Sequence, residues 1–342
     1  MAYKVATSEV TTSEVIKDDK TAVFYDVIVG VNHTTAGPFT GIGGSASFGY
    51  VSGGDETAVT NGGVNVIQKF PFSSDTNASD VGDLISARAG ASGGASSSNH
   101  GYASGGMVMP GFAVINEISR FPFASDDNAA DVGDLTRFLW TKANQQTSSH
   151  GYANGGYSPD GGGYNDGNEK FAFAASANAT DVGDLTQARN GAAGQSSETH
   201  GYTSGGTSPT VPDGNVIDKF TFASDGNSTD VGDLTQGGRD AAGQSSSTHG
   251  YTSSRSTSPL LTIDKFPFAS DVNAADVGDL LNNSQSWGAG QSSSTHGYYS
   301  GGQHPTPDVG AAIQKFPFSS DANSADVGDL LTIIIGGEGH QG

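Results

Sequence analysis

A repeat of about fifty residues runs through most of this chain and constrains its fold more than any other feature. The tetrapeptide Asp-Val-Gly-Asp occurs six times, with spacings of 51, 50, 49, 46 and 50 residues. A Gly-Tyr pair and a basic residue before Phe-x-Phe accompany each copy in the same order. The six copies begin at Asp80, Asp131, Asp181, Asp230, Asp276 and Asp326. Such a period, with Gly-rich turns between short strand-like segments, is typical of a β-propeller or a related repeat array.

Four strands can be assigned within one repeat. Residues 197–206 read as a strand that ends in a Gly-Gly turn, and residues 215–222 read as a second strand after a variable loop. In the latter, Ile217 faces one side and Phe220 the other, which predicts a sheet covered on both faces by neighbouring sheets. The Asp-Val-Gly-Asp segment supplies a third strand, and residues 192–196 supply a short fourth.

The number of repeat markers predicts a closed ring. Residues 43–50 resemble the Ser-rich segment before the later Gly-Tyr pairs, and no such segment follows the sixth Asp-Val-Gly-Asp. We therefore predict an all-β, six-bladed β-propeller over residues 43–330, preceded by a strand-containing arm over residues 1–42. Residues 331–342 are expected to form a strand, over the apolar residues 331–335, and a Gly-rich tail. An open solenoid is the alternative, although it would need capping repeats that the sequence does not display.

Charge and composition exclude several classes of function. The chain has 15 Lys and Arg against 36 Asp and Glu, a net charge of −21, which argues against neutralising nucleic-acid phosphates. It lacks the roughly 20 consecutive apolar residues of a membrane span, and its first residues lack the apolar core of a secretory signal. Without cysteine there is no disulfide or thiolate metal site. Neither a phosphate-binding GxxxxGKS loop nor an HExxH motif occurs, so we expect a protein that is not an enzyme.

Five histidines share one position, directly before Gly-Tyr. If they lie on the innermost strands, they form a ring near a central channel that could bind an anion or a metal, or respond to pH near the histidine pKa of about 6.5. The alternative is that duplication copied one packing or hydrogen-bonding histidine into five repeats. The residues are His100, His150, His200, His249 and His296.

A second recurrent group has the oxygen ligands that Ca²⁺ prefers. The loop Ser-Asp-x-Asn-x-x-Asp-Val-Gly-Asp places carboxylates and an amide at close spacing. Asp and Asn are equally typical of turns, where their side chains bond to the nearby backbone, so turn chemistry and calcium binding both remain open. The calcium candidates are Asp75, Asn77, Asp80, Asp83, Asp271, Asn273, Asp276 and Asp279. No other cofactor is predicted.

The loops after Gly-Gly differ between otherwise similar repeats. They are rich in Tyr, Gly, Ser and Asn, which make adaptable contact surfaces. Loops that vary on a constant scaffold are natural recognition sites. Tyr157 and Tyr164 are the candidate contact residues, whereas Trp140 and Trp287 read as isolated tryptophans.

The repeats resemble known families in two respects. A Ser-rich strand, Gly-Tyr-x-x-Gly-Gly and an aromatic strand follow one another as in kelch-type propeller repeats, without the usual blade tryptophan. Repeats with Thr-His-Gly-Tyr-x-Ser-Gly-Gly and Asp-Val-Gly-Asp-Leu are similar to predicted virion structural proteins of marine bacteriophages, including cyanophages. That resemblance implies a tail appendage, fibre or capsid decoration that is made in the host cytoplasm and located in the virion.

The resemblance also implies partners. Residues 1–42 would dock onto other virion proteins, while the variable loops would contact a host-surface glycan or protein, or another copy in a homo-oligomer. Nucleic acid and membrane insertion are not expected. The alternative is a free carbohydrate- or protein-binding propeller, calcium-assisted, that is soluble in the cytoplasm or outside the cell.

Overall fold

The computed structural model describes residues 46–56, 62–90, 93–211, 214–256, 261–281, 286–303 and 310–342. Within these residues the fold is all-β and every sheet is antiparallel. The same residues contain no α-helix, and hence no helix that could span a membrane. The predicted N-terminal arm, residues 1–42, lies outside the described part of the chain.

Six sheets have four strands each, which we number first to fourth in their order across the sheet. Sheet 1 contains Glu338–Gln341, Phe48–Ser52, Val66–Pro71 and Ser79–Asp83, and sheet 2 contains Ala95–Ser96, His100–Ser104, Glu117–Pro122 and Ala130–Asp134. Sheet 3 contains Ala143–Gln146, His150–Asn154, Gly167–Ala172 and Thr180–Asp184, and sheet 4 contains Ala193–Ser196, His200–Ser204, Val216–Thr221 and Thr229–Asp233. Sheet 5 contains Ala242–Ser245, His249–Ser253, Thr262–Pro267 and Ala275–Asp279, and sheet 6 contains Ala289–Ser292, His296–Ser300, Ala312–Pro317 and Ala325–Asp329.

Shorter strands lie in the loops between the second and third strands. Two of these loops form hairpins, Asp55–Glu56 with Gly62–Gly63 and Tyr157–Ser158 with Gly163–Tyr164. In sheet 2 this loop contributes Met107–Val108 and Ala113–Val114 to a three-stranded sheet, whose third member, Arg88–Ala89, lies between the fourth strand of sheet 1 and the first strand of sheet 2. The variable loops of sheets 1, 2 and 3 therefore contain strands of their own, at the end of the sheet where the second strand leaves it.

Sheet 1 combines strands from both ends of the described chain. Its first strand is Glu338–Gln341, which pairs with Phe48–Ser52. The strand predicted over residues 331–335 is therefore misplaced, because Ile334 packs in the core and Ile335 makes only a single bridge to Asp55. A polar tetrapeptide occupies the strand position instead.

Aromatic side chains pack each sheet against the next. The tyrosine of the Gly-Tyr pair on each second strand is buried, with its ring against the two phenylalanines of the following sheet's Phe-x-Phe. Tyr298 of sheet 6 packs in the same way on sheet 1, with a ring centroid 4.5 Å from that of Phe72. The six tyrosines are Tyr50, Tyr102, Tyr152, Tyr202, Tyr251 and Tyr298, whose phenylalanine partners follow the same sheet order. Such pairs contribute about 0.5–1.5 kcal/mol each beyond the burial of their area.

The first residue of the Gly-Tyr pair is glycine for a steric reason. A Cβ on Gly101 would lie inside van der Waals contact with the ring of Phe121 on the adjacent third strand, and Gly201 stands in the same relation to Phe220. Glycine therefore leaves the space that the phenylalanine fills, which explains why both motifs recur together.

Candidate functional site

The first strands of the six sheets meet around a central cavity of about 50 Å³. Its lining consists of Gly, Ser, Asn and Gln residues, without a formally charged side chain. Sheet 4 is typical, because Gly194 and Ser196 line the cavity while Gln195, between them, reaches the neighbouring sheet. This alternation is that of any β-strand, in which successive side chains point to opposite faces.

Six hydrogen bonds link the first strands around the cavity. In each, the backbone N–H of one strand donates to a side-chain oxygen on the next, with lengths of 2.6–3.3 Å. The last bond returns from Gln341 to Ser96. In order, the donors and acceptors are Ser96 to Gln146, Gln146 to Ser196, Ser196 to Ser245, Ser245 to Ser292, Ser292 to Gln341, and Gln341 to Ser96.

Glycine allows the first strands to approach this closely. A Cβ on Gly243 would collide with the carbonyl oxygen of Gly194, and one on Gly339 would collide with that of Gly290. A larger residue at either of these positions would force the two backbones apart. Asn144 occupies the same register in sheet 3, and its amide instead reaches the Ser104 hydroxyl at 3.3 Å.

One end of the cavity is bordered by residues with left-handed backbone. Just before the first strands, φ is positive at Gly90, Thr141, Gly191, Asp240, Trp287 and Gly336. These six residues are linked in the same order by five backbone hydrogen bonds of 2.6–2.8 Å. Thr141 N–H donates to the carbonyl of Gly90, Gly191 N–H to that of Thr141, and so on to Gly336 N–H and the carbonyl of Trp287. The variable loops bond to the same segments, as Tyr157 does to Trp140 and Thr207 to Asn190. We call this end of the sheets the loop face.

Four aromatic side chains cluster on the loop face. The rings of Trp140 and Trp287 stack with centroids 6.3 Å apart, although they precede the first strands of sheets 3 and 6. Tyr157 packs edge-on against Trp140, and Tyr164 packs against Tyr157, each at 6.0 Å. All four are only partly buried. The structure thus brings the predicted contact residues Tyr157 and Tyr164 together with two tryptophans that the sequence reads as isolated.

Asp240 is the titratable group beside this aromatic quartet. Its backbone carbonyl accepts the N–H of Trp287 at 2.8 Å, and its carboxylate is almost fully buried. Burial raises the pKa of Asp240 to about 7, and the exposed guanidinium of Arg239 opposes that rise only in part. The loop face therefore contains a carboxyl group that titrates near neutral pH.

The five histidines before Gly-Tyr lie on the second strands, at the end of the sheets opposite the loop face. None of them lines the central cavity, so their position differs from the innermost strands on which the ring hypothesis depended. In four of the five, all but His100, the Nδ1 atom bonds to the hydroxyl of the preceding residue, as His200 does to Thr199 at 2.8 Å. Partial burial lowers their pKa, and the neighbouring Lys219 adds to the effect at His200. A binding role for these histidines stays a prediction.

The oxygen ligands proposed for calcium connect neighbouring sheets. Asn77 Oδ1 accepts the backbone N–H of Asp329 at 3.1 Å, and Asp75 pairs with Lys315 at 2.6 Å. Asp80 accepts the N–H of Gly82 within its own turn. The same asparagine bond occurs at all six positions, with Asn77, Asn128, Asn178, Asn227, Asn273 and Asn323 as acceptors. Over the described ranges, no three His, Asp or Glu side chains are arranged to hold a metal, and calcium binding stays a prediction.

Sequence reasoning missed a cluster of buried ionisable residues on either side of sheet 2. Lys142 is 0% and Glu338 2% exposed, and their side chains pair at 3.5 Å. Arg88, also 2% exposed, donates to the carbonyls of Gly105 and Ala103. Burial lowers the pKa of Arg88 and of Lys142 and raises that of Glu338. The attraction between the two cations and the Glu338 carboxylate opposes these shifts. We call Arg88, Lys142, Glu338 and His340 the polar seam.

His340 is a fully buried member of the polar seam. Its Nδ1 donates to the carbonyl of Ala95 at 3.2 Å, since a carbonyl can only accept, and its Nε2 accepts from the Ser52 hydroxyl at 2.9 Å. The ring fills the space beside Gly94, which has no side chain. Burial lowers the pKa of His340 to about 3, so the imidazole is neutral at physiological pH. Its two hydrogen bonds and its packing give it a structural role.

Comparison with protein-family models and with curated protein sequences finds no match for this chain. The functional argument consequently depends on the geometry of the loop face and on the motifs of the repeats.

Proposed function

We propose that residues 46–342 form a closed six-bladed propeller in which each four-stranded sheet is one blade. Three sets of contacts support this proposal, and each includes a link from sheet 6 to sheet 1. Tyr298 packs on Phe72, Asp329 donates to Asn77, and Ser292 donates to Gln341. An open array would leave those groups of sheets 1 and 6 without partners.

We further propose that this propeller is a non-enzymatic module for display and contact. The observation that carries the proposal is the aromatic quartet Trp140, Trp287, Tyr157 and Tyr164, partly exposed on loops that vary over a repeated scaffold. Half-buried Trp and Tyr rings supply rigid contact area at low entropic cost, which suits recognition rather than chemistry. The partner would be a host-surface glycan or protein, or a neighbouring subunit.

The setting that we propose is a bacteriophage particle. Its support is the similarity of the Thr-His-Gly-Tyr-x-Ser-Gly-Gly and Asp-Val-Gly-Asp-Leu repeats to predicted phage virion proteins. In this setting residues 1–42 attach the propeller to the particle, and the loop face points outward. A free glycan-binding propeller is the second candidate, because an exposed Trp–Tyr cluster also suits the apolar face of a sugar ring.

Peptide mass spectrometry of density-purified particles tests the setting. We expect this chain at a fixed stoichiometry, and a variant lacking residues 1–42 should be absent from particles while its propeller stays folded. Normal incorporation of the truncated chain would contradict the docking role. Absence of the full chain from particles would favour the free binding module.

A binding assay tests the loop face separately. Tyr157→Ala combined with Tyr164→Ala should weaken capture of host cells or of immobilised glycans at least tenfold. Phe112→Ala is the matched control, because Phe112 is 62% exposed on a different variable loop. Equal binding by both variants would contradict the assignment of the quartet as the contact site.

A further inference from the structure

One pair of positions interrupts the repeat between sheets 3 and 4. In five of the six sheets, the last residue of the second strand is a serine that pairs with an isoleucine on the third strand. Sheet 3 instead pairs Asn154 with Asn168, and both asparagines are at most 1% exposed. The serine–isoleucine pairs are Ser52 with Ile67, Ser104 with Ile118, Ser204 with Ile217, Ser253 with Ile263, and Ser300 with Ile313.

Both asparagines face sheet 4. Side chains alternate along a strand, so Asn154 points to the same side as Tyr152, whose ring packs against the phenylalanines of sheet 4. Asn168 Nδ2 donates to the Ser228 hydroxyl of that sheet at 3.3 Å. Gln145 reaches sheet 4 from the first strand, where its Nε2 donates to a backbone carbonyl at 2.8 Å. Three amide side chains of sheet 3 therefore lie on one buried face.

Gln145 and Asn154 occupy the two positions of a contact that other sheets complete. In sheets 4, 5 and 6, the glutamine of the first strand bonds to the serine in the position of Asn154, at 2.8–2.9 Å. Among the described residues, no partner is found for Gln145 Oε1, for Asn168 Oδ1 or for either side-chain polar atom of Asn154. Exchanging the amide oxygen and nitrogen of Asn154 changes nothing, since both lack a partner. One amide N–H₂ group and three oxygens therefore remain to be satisfied.

The apolar packing between sheets is interrupted at the same place. Within the described residues, clusters of buried apolar side chains join sheets 1 and 2, 2 and 3, 4 and 5, 5 and 6, and 6 and 1, but none joins sheets 3 and 4. At the matched interface of sheets 4 and 5, Ile217 belongs to a cluster with Tyr202 and Phe266. An asparagine side chain fills less space than the branched isoleucine that Asn168 replaces. The substitution therefore provides room as well as polar groups.

We propose that Asn154, Asn168 and Gln145 form a binding site for internal water between sheets 3 and 4. A water molecule both donates and accepts hydrogen bonds, so it can accept from Asn154 Nδ2 and donate to two of the amide oxygens. A sodium ion would engage the oxygens alone and leave the buried N–H groups unpaired, and an apolar ligand would satisfy none of these atoms. The site is separate from the loop face and does not depend on the contact function proposed there.

A high-resolution crystal structure of the full chain is the direct test. It should show an ordered water within about 3.2 Å of Asn154 Nδ2 and of an amide oxygen of Asn168 or Gln145. The pair Ser204 and Ile217 is the internal control and should have no water between its side chains. Asn154→Ser with Asn168→Ile, which installs the pair of the other sheets, should lose the water of sheet 3. Direct bonds between the amides without water, or a cation held by oxygens alone, would overturn the proposal.

Thermal unfolding gives a second test, because a shared water couples the two asparagines. Asn168→Ile alone removes one partner of the water and leaves Asn154 buried without compensation, so the melting temperature should fall by about 2–4 °C. Adding Asn154→Ser should restore at least the native melting temperature. A rise with Asn168→Ile alone would contradict the site, because the native asparagines would then have no partner to lose. Losses that simply add in the double variant would contradict a shared site as well.

Discussion

Two kinds of interface hold the sheets together, and they differ in the residue at the third position of the first strand. From sheet 3 through sheets 4, 5 and 6 to sheet 1, a glutamine in the third position of the first strand donates to a tyrosine carbonyl of the next sheet. Gln195 does so to Tyr251 at 3.0 Å and Gln291 to Tyr50 at 3.2 Å. On either side of sheet 2, that position is His340 or Ala95, and buried charges fill the space.

The two kinds of interface differ in whether the side chains at this position repeat from sheet to sheet or are particular to one place in the fold. At this position the glutamine interfaces use a neutral side chain, and each glutamine satisfies a backbone carbonyl with one side-chain donor. The polar seam instead buries Lys142, Glu338 and Arg88, whose desolvation is offset only while all partners are present. We therefore expect the seam to tolerate single substitutions less well than the repeated interfaces do.

The largest expected effect is at the buried ion pair. Lys142→Met leaves the Glu338 carboxylate buried without its partner and should lower the free energy of unfolding by about 3–5 kcal/mol. Gln244→Met, at a repeated interface, leaves the Tyr298 carbonyl unsatisfied and should cost about 1–3 kcal/mol. Chemical denaturation of both variants measures the difference. Equal losses would show that the two kinds of interface are energetically alike.

Acid should weaken the seam through His340. Its pKa of about 3 in the folded protein lies below the unfolded value of 6.5, so the unfolded chain binds the proton more readily. Stability from this group is fully present above pH 6.5 and is lost at about 1.4 kcal/mol per pH unit as the pH falls towards 3. His340→Gln, which introduces the residue of the repeated interfaces, should flatten that acid limb relative to the native chain.

Asp240, on the loop face, makes stability depend on pH in the opposite direction. Its folded pKa of about 7 is above the ordinary value of 3.8, so its stability contribution is present below pH 3.8 and is lost as the pH rises through 7. Asp240→Asn should therefore raise stability at pH 8 relative to the native chain and leave it unchanged at pH 3. Denaturation midpoints at the two pH values measure this, and a loss of stability at pH 8 would contradict the assigned pKa.

A smaller effect is expected where the first strands converge. Gly243→Ala forces a methyl group into the carbonyl of Gly194 and should cost about 1–3 kcal/mol. Asn144→Ala, at the same register beside the seam, loses only the bond to Ser104 and should cost about 1 kcal/mol. Thermal unfolding compares the two, and a greater loss for Asn144→Ala would contradict the close approach of the strands.

The smallest effect concerns the outer ion pairs. A lysine on the third strand faces an Asp of the next sheet at five positions, and Lys170 with Asp225 is one of them at 3.0 Å. Between sheets 2 and 3, Ser176 stands where the other repeats have Asp. Ser176→Asp should pair with Arg120 and add about 0.2–1 kcal/mol, while Asp225→Ser should lose a similar amount. High salt should abolish both differences.

The repeat predicted the six sheets, because each marker has a local cause. The Gly-Tyr glycine makes room for Phe, the tyrosine packs on the next sheet, and the short strand expected over residues 192–196 is present as Ala193–Ser196. Hydropathy could not predict the first strand of sheet 1, since Glu338–Gln341 is polar and is stabilised by pairing with Phe48–Ser52.

The aromatic cluster of the loop face and the polar seam were harder to predict from the sequence. Trp140 and Trp287 stack only because sheets 3 and 6 bring them together, and no local pattern connects them. Lys142 and Glu338 likewise pair across most of the chain and break the repeat instead of following it. Tyr157 and Tyr164 were predictable because they lie within one loop of unusual composition.

Closure of sheet 6 on sheet 1 is the central claim, and cross-linking tests it most directly. The chain has no cysteine, so Asp75→Cys with Lys315→Cys introduces the only reactive pair, at an ion pair that joins these two sheets. Lys69→Cys with Asp126→Cys, between sheets 1 and 2, is the matched control. With a short bismaleimide at low protein concentration, a closed ring predicts efficient cross-linking within the monomer for both pairs. Cross-linking of the control pair alone would contradict closure.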